Sequence, residues 1–291
     1  MKVLLTGASG FVGRNVLAHL LRQDIEVVAV GRTPPAEFSG EFIAADLLNP
    51  DASIEVVRAA KASHLVHIAW YAEHGEYWSS RLNLRWVDSS IRLMEAFCHL
   101  GGTQIVATGT CAEYDWSTGY CIEDVSPMNP ATLYGTAKDT VRRLATHICA
   151  AHGTAFAWGR IFLPYGPNED ARRLIPSLVK VFKGQGVPFG VNADSYRDFL
   201  HVDDVASAIM QLLLTNSTGN YNIASGQPTC ISDVIYWMAN AAGKDPSIIL
   251  DLASKRPNEP RLLIGDNQKL MSTGWHMQKH LIDHISEMMT R

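Results

Sequence analysis

The sequence predicts an α/β protein with a doubly wound parallel sheet and a smaller C-terminal lobe. Two observations support this fold class. In the first half of the 291-residue chain, short β-branched runs alternate with amphipathic stretches, as they do in βαβ units. The first of these runs leads directly into a glycine-rich turn, T-G-A-S-G-F-V-G, before a predicted helix. Since ligands bind at the carboxyl ends of parallel strands, functional residues are expected just after strands.

The individual elements follow from the same alternation. Buried strands are predicted at residues 3–6, 26–30, 42–45, 64–69 and 104–107, and amphipathic helices at 15–22, 52–60, 81–100 and 137–151. After Arg160 the pattern loosens: L-P-Y-G-P-N interrupts it, a helix is predicted over 172–182, and G-Q-G-V-P-F-G forms a turn region. No Ser/Gly/Pro linker separates the two parts. We therefore expect a larger domain over residues 1–163, rejoined by 202–225, and an attached lobe from 164–201 and 226–291.

Composition argues against several classes of function. The formal charge of -4 and the pI near 6.2 disfavour a general binder of nucleic acid or of membrane surfaces, while a pocket for a small anionic ligand remains compatible. The cysteines are odd in number and form no C-x-x-C pair, which predicts reduced, inert thiols at Cys98, Cys111, Cys121, Cys149 and Cys230. The N-terminus lacks the apolar core of a signal peptide, and no run is long enough to span a bilayer, so a cytoplasmic protein is expected.

The glycine-rich turn places Gly7, Gly10 and Gly13 at three-residue spacing where the first strand meets the first helix. Glycines there permit a tight turn and let a pyrophosphate approach backbone N–H groups at the positive helix end. The spacing G-x-x-G-x-x-G differs from the G-x-G-x-x-G fingerprint, so a purely structural turn is the alternative. The other turn residues of this candidate dinucleotide site are Ser9, Phe11 and Val12.

Further positions extend the candidate dinucleotide site. The second strand ends in V-A-V-G-R, with no acidic residue for a ribose 2′-hydroxyl and with Arg32 available instead. A guanidinium suits a 2′-phosphate, which favours NADP(H) over NAD(H), unless Arg32 is simply a solvated surface residue. Asp46, after the third strand, is placed to meet an adenine amino group or to form a turn before Pro50. Leu47 and Ala69 complete the predicted site.

The stretch Y-G-T-A-K puts Tyr134 and Lys138 four residues apart, which places them on one face if the helix extends over residues 131–151. An ammonium at that distance favours phenolate, whereas a free tyrosine, with a pKa of about 10, is poorly matched to proton transfer near neutrality. Such pairs also arise by chance in helices. The glycine-rich turn upstream, and T-G-T-C-A-E-Y after the fifth strand, favour an acid–base role.

With these motifs in this order, the chain resembles the extended short-chain dehydrogenase/reductase family, which is rich in nucleotide-sugar epimerases, dehydratases and ketoreductases. The resemblance covers nearly the whole chain: T-G-A-S-G-F-V-G, A-D-L, H-I-A, Asn83, G-T-C-A-E-Y, Y-G-T-A-K, R-D-F-L-H-V-D-D-V-A and R-P-N-E-P follow one another. It implies a Rossmann fold, an NAD(P) cofactor and a nucleotide-diphosphate sugar as substrate. It also implies a homodimer that pairs the helices over 81–100 and 137–151.

The resemblance further implies residue roles. Tyr134 is the catalytic acid/base, Lys138 is its tuning partner and a ligand of the nicotinamide ribose, and Thr110 holds the substrate carbonyl. Arg197 and Arg256 match positions that bind the nucleotide portion, with a structural ion pair as the alternative for each. The chain differs from the family in one motif that bears on nucleotide binding. The family's R-x-F-N-P is R-I-F-L-P here, so Leu163 replaces an Asn that lies near the diphosphate in family members.

Three further patterns in the sequence also have simpler structural explanations. His276, His280 and His284 recur at four-residue spacing, as metal ligands along a helix would, but without a nearby Cys or H-E-x-x-H an ordinary helix surface is expected. The aromatic segment 70–78, W-Y-A-E-H-G-E-Y-W, either lines a sugar pocket or packs in the core. Scaffold roles are expected for Asp198, His201 and Asp203.

The resemblance leaves a choice of reaction. Dehydratases of the family place an Asp-Glu pair directly after the catalytic Thr; Cys111 and Ala112 stand there instead, which disfavours 4,6-dehydration. Epimerases of the family keep NAD tightly bound and return the hydride to the sugar. Arg32 instead suggests NADPH that exchanges with solution, as a reductase requires. The sequence therefore favours NADPH-dependent reduction at C4 of a nucleotide-linked 4-keto-6-deoxy sugar. An NAD-dependent nucleotide-sugar 4-epimerase is the alternative, and a non-catalytic NADP-binding regulator is the alternative from another class.

Overall fold

The computed structural model describes residues 1–255 and 259–290. The strands within them are β1 (Lys2–Thr6), β2 (Glu26–Gly31), β3 (Glu41–Ala44), β4 (His64–His67), β5 (Gln104–Thr110), β6 (Tyr120–Cys121), β7 (Ala155–Ile161), β8 (Leu163–Tyr165), β9 (Tyr196–Arg197), β10 (Phe199–His201), β11 (Gly219–Ile223), β12 (Thr229–Cys230) and β13 (Leu262–Gly265). The helices are α1 (Phe11–Arg22), α2 (Ala52–Ala60), α3 (Leu82–His99), α4 (Leu133–His152), α5 (Leu174–Phe182), α6 (Val202–Leu214), α7 (Ile231–Ala242), α8 (Ser247–Leu250), α9 (Gln268–Met271) and α10 (Leu281–Thr290). Two short 3₁₀ segments, Cys111–Glu113 and Trp116–Thr118, follow β5.

Seven strands form one parallel sheet in the order β3-β2-β1-β4-β5-β7-β11. The chain starts at β1, builds outward to β3, and then returns to the other side of β1 with β4. This reversal is a topological switch point, and the crevice outside it is where such sheets bind ligands. The predicted doubly wound, Rossmann-type parallel sheet is confirmed.

Helices cover both faces of this sheet because its strands are apolar on both sides. Along β1, Val3 and Leu5 belong to the core shared with α1 and α6, whereas Leu4 belongs to the core shared with α2, α3 and α4. The alternation follows from the two-residue period of a strand. The result is a three-layer arrangement in which the strand ends, rather than the sheet faces, are left for function.

A separate apolar cluster lies in the C-terminal part of the chain, where α5, α7 and α10 pack together around residues such as Leu178, Ile235 and Ile285. A small sheet in the order β12-β9-β13-β6 and the β8–β10 pair accompany it. Because β6 follows closely after β5, the small sheet connects these elements to the end of β5.

Helix starts differ most from the sequence prediction. α1 begins at Phe11, directly within the glycine-rich turn, and not at residue 15. α4 begins at Leu133, and not at residue 137, because the Thr132 hydroxyl accepts the Gly135 N–H at 3.1 Å and caps the helix. Tyr134 therefore lies in the first turn of α4. Strand β7, A-F-A-W-G-R-I, was not predicted because only its final residue is β-branched.

Candidate active site

The glycine-rich turn joins β1 to α1 through a close backbone crossing. Gly7 has a φ of +75°, in the left-handed region that favours glycine. A Cβ on Gly13 would lie 1.9 Å from the Gly7 carbonyl oxygen, so a side chain there requires the backbone to move. The Gly10 N–H donates to the same oxygen at 2.9 Å. Contacts within the turn therefore require glycine at both Gly7 and Gly13.

The same turn lies against the end of β4. A Cβ on Gly7 would lie 2.8 Å from the Ala69 nitrogen, so the two backbones are in direct contact. The Thr6 hydroxyl accepts the N–H groups of Ile68 and Ala69, each at 3.1 Å, and pairs with His67 Nδ1 at 2.9 Å. Burial lowers the pKa of His67 to about 3, so this histidine is neutral at physiological pH. The predicted positions Gly7 and Ala69 thus border one crevice at the switch point.

The turn has the features that a dinucleotide pyrophosphate requires. Gly10 N-caps α1 without a side-chain hydrogen bond, and the first turn of the helix contains no acidic residue. The first N–H groups of α1 therefore keep their affinity for an anion, which the helix dipole increases. Around them, Ser9 is exposed, and Phe11 and Val12 are half-buried.

The other predicted cofactor residues follow β2 and β3. Arg32 directly follows β2 and is exposed. The Asp46 carboxylate accepts the Leu48 N–H at 3.0 Å, so its turn-forming role is observed. Leu47 is buried, and its carbonyl accepts the Ser89 hydroxyl at 2.6 Å. These residues border the same end of the sheet as the glycine-rich turn.

Thr110, Tyr134 and Lys138 converge beyond the end of β5. Thr110 is the last residue of β5 and is 8% exposed, and Tyr134 and Lys138 lie one turn apart on α4. A Cβ on Gly135 would lie 2.1 Å from the Ala112 carbonyl oxygen, so the start of α4 contacts the segment after Thr110 directly. The three predicted catalytic side chains therefore form one cluster.

Lys138 is buried near two indole rings. Its ammonium lies 4.1 Å from the centre of the Trp70 ring and 5.9 Å from that of Trp158, and it donates to the Thr108 carbonyl at 2.8 Å. Burial lowers the pKa of Lys138 to about 7, and the negative charge of Glu113 opposes this shift. Both protonation states of Lys138 are therefore populated near neutral pH.

Burial has the opposite effect on Tyr134. It raises the pKa of the phenol above its usual value; the neighbouring Tyr77 phenol adds to the increase, and a hydrogen bond from the Thr110 side chain opposes it. The sequence-based expectation that Lys138 shifts Tyr134 toward phenolate is not met, because desolvation dominates and the lysine itself is easily neutralised. Tyr134 is thus a protonated phenol at neutral pH.

The segment 70–78 forms an aromatic wall around Tyr134. The ring centre of Tyr134 lies 4.9 Å from that of Tyr77, 5.8 Å from Trp78 and 6.4 Å from Trp70. The Tyr134 N–H also donates to the Trp78 carbonyl at 3.1 Å. All four rings are half-buried, and Trp70 also packs against the core shared by α2, α3 and α4, so the segment contacts both Tyr134 and the core.

Asn83 holds the aromatic wall in place. Its amide is fully buried and donates to the carbonyls of Tyr77 and Ser80, at 2.7 and 2.9 Å. Its carbonyl oxygen accepts the Trp70 indole N–H at 2.9 Å. One side chain at the start of α3 therefore fixes a ring that contacts Tyr134 and a ring that contacts Lys138.

The depressed pKa of Lys138 predicts a pH dependence of stability. Between pH 7 and 10.5 the unfolded chain keeps this lysine protonated while the folded chain releases the proton, so the free energy of unfolding rises with pH. One proton contributes at most about 1.4 kcal/mol per pH unit. Lys138→Met removes this contribution, so urea titrations should show wild type gaining stability relative to the variant as pH rises above 7. A constant difference across that range would contradict the buried ammonium.

One of the two predicted substrate arginines, Arg197, is engaged by the protein itself. Arg197 is buried on β9, donates to the Pro260 carbonyl at 2.9 Å and forms an ion pair with Glu259 at 3.0 Å. This is the structural ion pair that the sequence left as an alternative. Arg256 lies outside the described residues. Leu163, which replaces the expected Asn, packs between two apolar clusters.

Residues of the R-D-F-L-H-V-D-D motif contact other elements of the scaffold. Asp198 is fully buried and accepts the N–H groups of Gly226 and Gly265, each at 3.1 Å. Asp203 is hydrogen-bonded to His19 Nε2 at 2.8 Å and forms an ion pair with Lys279 at 3.1 Å. These contacts join the motif to distant segments of the chain.

The three spaced histidines do not share a helix face. His276 and His280 precede α10, whereas His284 lies within it and stacks on His201 with ring centres 4.6 Å apart. Within residues 1–255 and 259–290, no group of three His, Cys, Asp or Glu side chains is arranged to hold a metal ion. The five cysteines are free and buried. None of the described helices is long and apolar enough to cross a membrane.

Sequence reasoning missed a buried polar group next to the site. Glu113 accepts N–H groups from Thr110, Trp158 and Arg160, and none of these contacts was predicted. A signal was present, because Glu113 lies just after β5 and Arg160 near the end of β7, which pairs with β5. It was overlooked because β7 itself was not predicted.

A dinucleotide-fitting turn at the switch point, next to a Thr-Tyr-Lys cluster, defines the class of protein: an enzyme of the extended short-chain dehydrogenase/reductase type. Comparison with known proteins agrees with this class. The model of the NAD-dependent epimerase/dehydratase family matches residues 3–224, and the chain belongs to this family.

Several relatives are similar over most of the chain. A UDP-glucose 4-epimerase of Streptomyces lividans is 27% identical over 98% of this chain and 94% of its own. A dTDP-6-deoxy-L-talose 4-dehydrogenase (NAD(+)) of Aggregatibacter actinomycetemcomitans is 25% identical over 81% of this chain and 88% of its own. The structure of MoeE5 in complex with UDP-glucose and NAD is 25% identical, covers 100% of this chain and 98% of its own, and has a TM-score of 0.85.

Proposed function

We propose that this chain is an NAD-dependent 4-epimerase of a nucleotide-linked hexose. The observation that carries the proposal is the cluster of Thr110, Tyr134 and Lys138 beside a turn that fits a dinucleotide. Similarity to a UDP-glucose 4-epimerase over 98% of the chain, and to a structure that holds UDP-glucose and NAD, supports the reaction and the class of substrate.

Each member of the cluster has a task in this reaction. A bound nicotinamide supplies the hydride acceptor and donor. The Thr110 hydroxyl holds the C4 oxygen by a hydrogen bond that strengthens as charge develops there. Tyr134 would take the C4 hydroxyl proton as the phenolate when the sugar is oxidised, and as the phenol it would return that proton when the ketone is reduced. Lys138, when protonated, places positive charge near the phenol and provides a donor for the nicotinamide ribose.

The aromatic wall suits a sugar substrate. The half-buried rings of Tyr77 and Trp78, next to Tyr134, offer apolar surfaces on which C–H faces of a pyranose ring can pack. Such surfaces also exclude water from the reacting carbon, which strengthens the polar contacts made by Thr110. The lobe built around α5 and α7 then provides the remaining surface for the nucleotide.

A ketoreductase is the second candidate, and the protonation state of Tyr134 favours it. A phenol whose pKa is raised is already the proton donor that reduction of a C4 ketone needs. The similarity to a dTDP-6-deoxy-L-talose 4-dehydrogenase supports the same direction, because that name describes redox chemistry at C4 of a deoxy sugar. The substrate would then be a nucleotide-linked 4-keto-6-deoxy sugar.

Dehydration is disfavoured by the residues that follow Thr110. Cys111 and Ala112 are both buried, and Ala112 has no titratable group. Burial raises the pKa of the Cys111 thiol to about 12, so it remains protonated and is a poor base near neutrality. Water elimination needs an acid and a base at these positions, and neither residue supplies the pair.

Product analysis separates the candidate reactions. Purified protein would be incubated with UDP-, dTDP-, GDP- and CDP-linked hexoses and 4-keto-6-deoxy hexoses, with absorbance of NADH or NADPH followed and products identified by NMR. The epimerase proposal expects inversion at C4 with catalytic NAD and no net change in NADH. Stoichiometric loss of NAD(P)H would establish the ketoreductase instead. Absence of turnover across the panel, with dinucleotide bound, would favour a non-catalytic regulator.

Cofactor choice depends on Arg32 in this proposal. We propose that the site binds NAD(H) and that the exposed Arg32 guanidinium, at the end of β2, allows it to accept NADP(H) as well. Arg32→Asp removes a partner of the 2′-phosphate and adds repulsion, so NADPH affinity should fall by about 1.5–3 kcal/mol while NADH affinity changes little. Fluorescence titration with both nucleotides measures this. An equal loss of affinity for NADPH and NADH would show that Arg32 does not contact the 2′-phosphate.

We also propose that the chain forms a homodimer through α3 and α4. These helices pack against each other, and each exposes a leucine: Leu84 is 51% exposed and Leu144 is 45% exposed. Light scattering should give a mass of about twice that of the chain. Leu144→Glu should shift it toward the monomer, and a monomeric wild type would exclude the proposal.

A further inference from the structure

A buried carboxylate lies next to the catalytic cluster. Glu113 is 0% exposed, and three different groups donate to its oxygens: the Thr110 backbone N–H at 2.8 Å, the Trp158 indole N–H at 3.0 Å and Arg160 Nε at 2.7 Å. Arg160 is itself 1% exposed and also donates to the Tyr114 hydroxyl at 3.1 Å. The carboxylate is therefore charged, paired and fully hydrogen-bonded, which is how a protein retains a buried ion.

The strand beside this carboxylate is built to admit it. A Cβ on Gly109 would lie 2.3 Å from Glu113 Oε1 and 2.2 Å from Trp158 Nε1. Glycine at this position therefore leaves the space in which the carboxylate meets the indole. Because Glu113 folds back onto the Thr110 N–H, while the Thr110 hydroxyl accepts the Ala112 N–H at 3.2 Å, the last residue of β5 is held by two local contacts.

Glu113 also acts electrostatically on the lysine of the cluster. Among the ionisable groups near Lys138, Glu113 acts on it with negative charge, and the buried His67 lies on the β4 side. Tyr134, from the same helix, is a neutral phenol. Around Glu113 itself lie Arg160, its ion-pair partner, and the neutral Tyr114 and Cys111. The Trp158 ring, held by Glu113, forms one wall of the Lys138 site.

We propose that Glu113 is a positioning residue of the active site: its buried carboxylate fixes the Thr110 backbone and the Trp158 indole, and its negative charge favours the ammonium form of Lys138. This inference rests on the proposed roles of Thr110 and Lys138. It adds a residue that does not touch the reacting atoms but sets the geometry and charge of two that do.

Glu113→Gln tests the role of the charge with little change in shape. Removing the negative charge destabilises the nearby ammonium, so the pKa of Lys138 should fall by about one unit or more. It can be followed by NMR of protein labelled with 13C-lysine, with Lys138→Met identifying the signal. Activity that needs the ammonium is lost as pH rises through the pKa of Lys138. The high-pH decline of the pH–activity profile, its basic limb, should therefore move to lower pH by the same amount as the pKa.

Glu123→Gln is the matched control. Glu123 is also a buried carboxylate and accepts a backbone N–H, from Asn222, but it does not contact the catalytic cluster. Its substitution should leave the Lys138 signal and the basic limb unchanged. Because Glu113→Gln leaves Arg160 unpaired and risks misfolding, the double variant Glu113→Gln/Arg160→Gln removes both charges and should still lower the pKa of Lys138.

The outcomes separate this inference from the proposed function. A folded Glu113→Gln or double variant with an unshifted Lys138 signal and an unmoved basic limb overturns the role of Glu113, whatever reaction is found. A shifted Lys138 signal in a protein that turns over no sugar nucleotide supports the electrostatic effect of Glu113 on Lys138 but overturns the proposed function. Equal shifts in Glu123→Gln would show a general effect of buried charge and would also overturn the inference.

Discussion

Tyr134→Phe should lower turnover by roughly 10²–10⁴ while the protein still folds and binds its dinucleotide. The phenylalanine ring keeps the packing against Tyr77 and Trp78, whose ring centres lie 4.9 and 5.8 Å away. The substitution removes the hydroxyl that exchanges a proton with the C4 oxygen, and the other hydroxyl of the cluster, on Thr110, is too weak an acid to replace it. The measurement is kcat at saturating substrate, together with dinucleotide affinity from fluorescence titration.

Tyr77→Phe is the control for the Tyr134 variant. It removes the neighbouring phenol, which is also desolvated, with a pKa raised to about 12, and it likewise keeps an aromatic ring in the wall. Because the proposed proton transfer does not pass through Tyr77, its loss should reduce kcat by less than about tenfold. Near-normal turnover by Tyr134→Phe, or equal losses in both variants, would contradict the assignment of Tyr134 as the acid/base.

Local sequence patterns were sufficient to predict the strands, turn and helix that carry the site residues. The alternation of strands and helices predicted the parallel sheet, and the strand-to-helix turn containing Gly7 and Gly13 lies where that pattern placed it. The four-residue spacing of Tyr134 and Lys138 correctly put them one turn apart on a helix. These features depend on contacts that are close in sequence, or on the general rule that ligands bind beyond strand ends.

The electrostatics of the site could not be predicted in the same way. The sequence suggested that Lys138 lowers the pKa of Tyr134, yet burial raises the pKa of the tyrosine and lowers the pKa of the lysine to about 7. The groups responsible come from distant parts of the chain: Trp70 follows β4, and Arg160 pairs with Glu113 across 47 residues. Desolvation is a property of the packed structure, so a spacing within one helix does not reveal it.

Gly13→Ala should weaken dinucleotide binding by roughly a hundredfold, because a misplacement of about 1 Å in a binding turn has effects of this size. The added Cβ would lie 1.9 Å from the Gly7 carbonyl oxygen and 2.6 Å from its carbon, so the helix start must move away from the turn, which also destabilises the fold by about 1–3 kcal/mol. Gly31→Ala is the matched control at the end of the next strand, since its Cβ meets only the Thr33 carbonyl, at 3.7 Å. Calorimetric titration with NAD, on variants shown by circular dichroism to be folded, measures the affinities. Wild-type affinity in Gly13→Ala would contradict binding of the pyrophosphate by this turn, because relieving the overlap displaces either the Gly7 carbonyl or the start of α1.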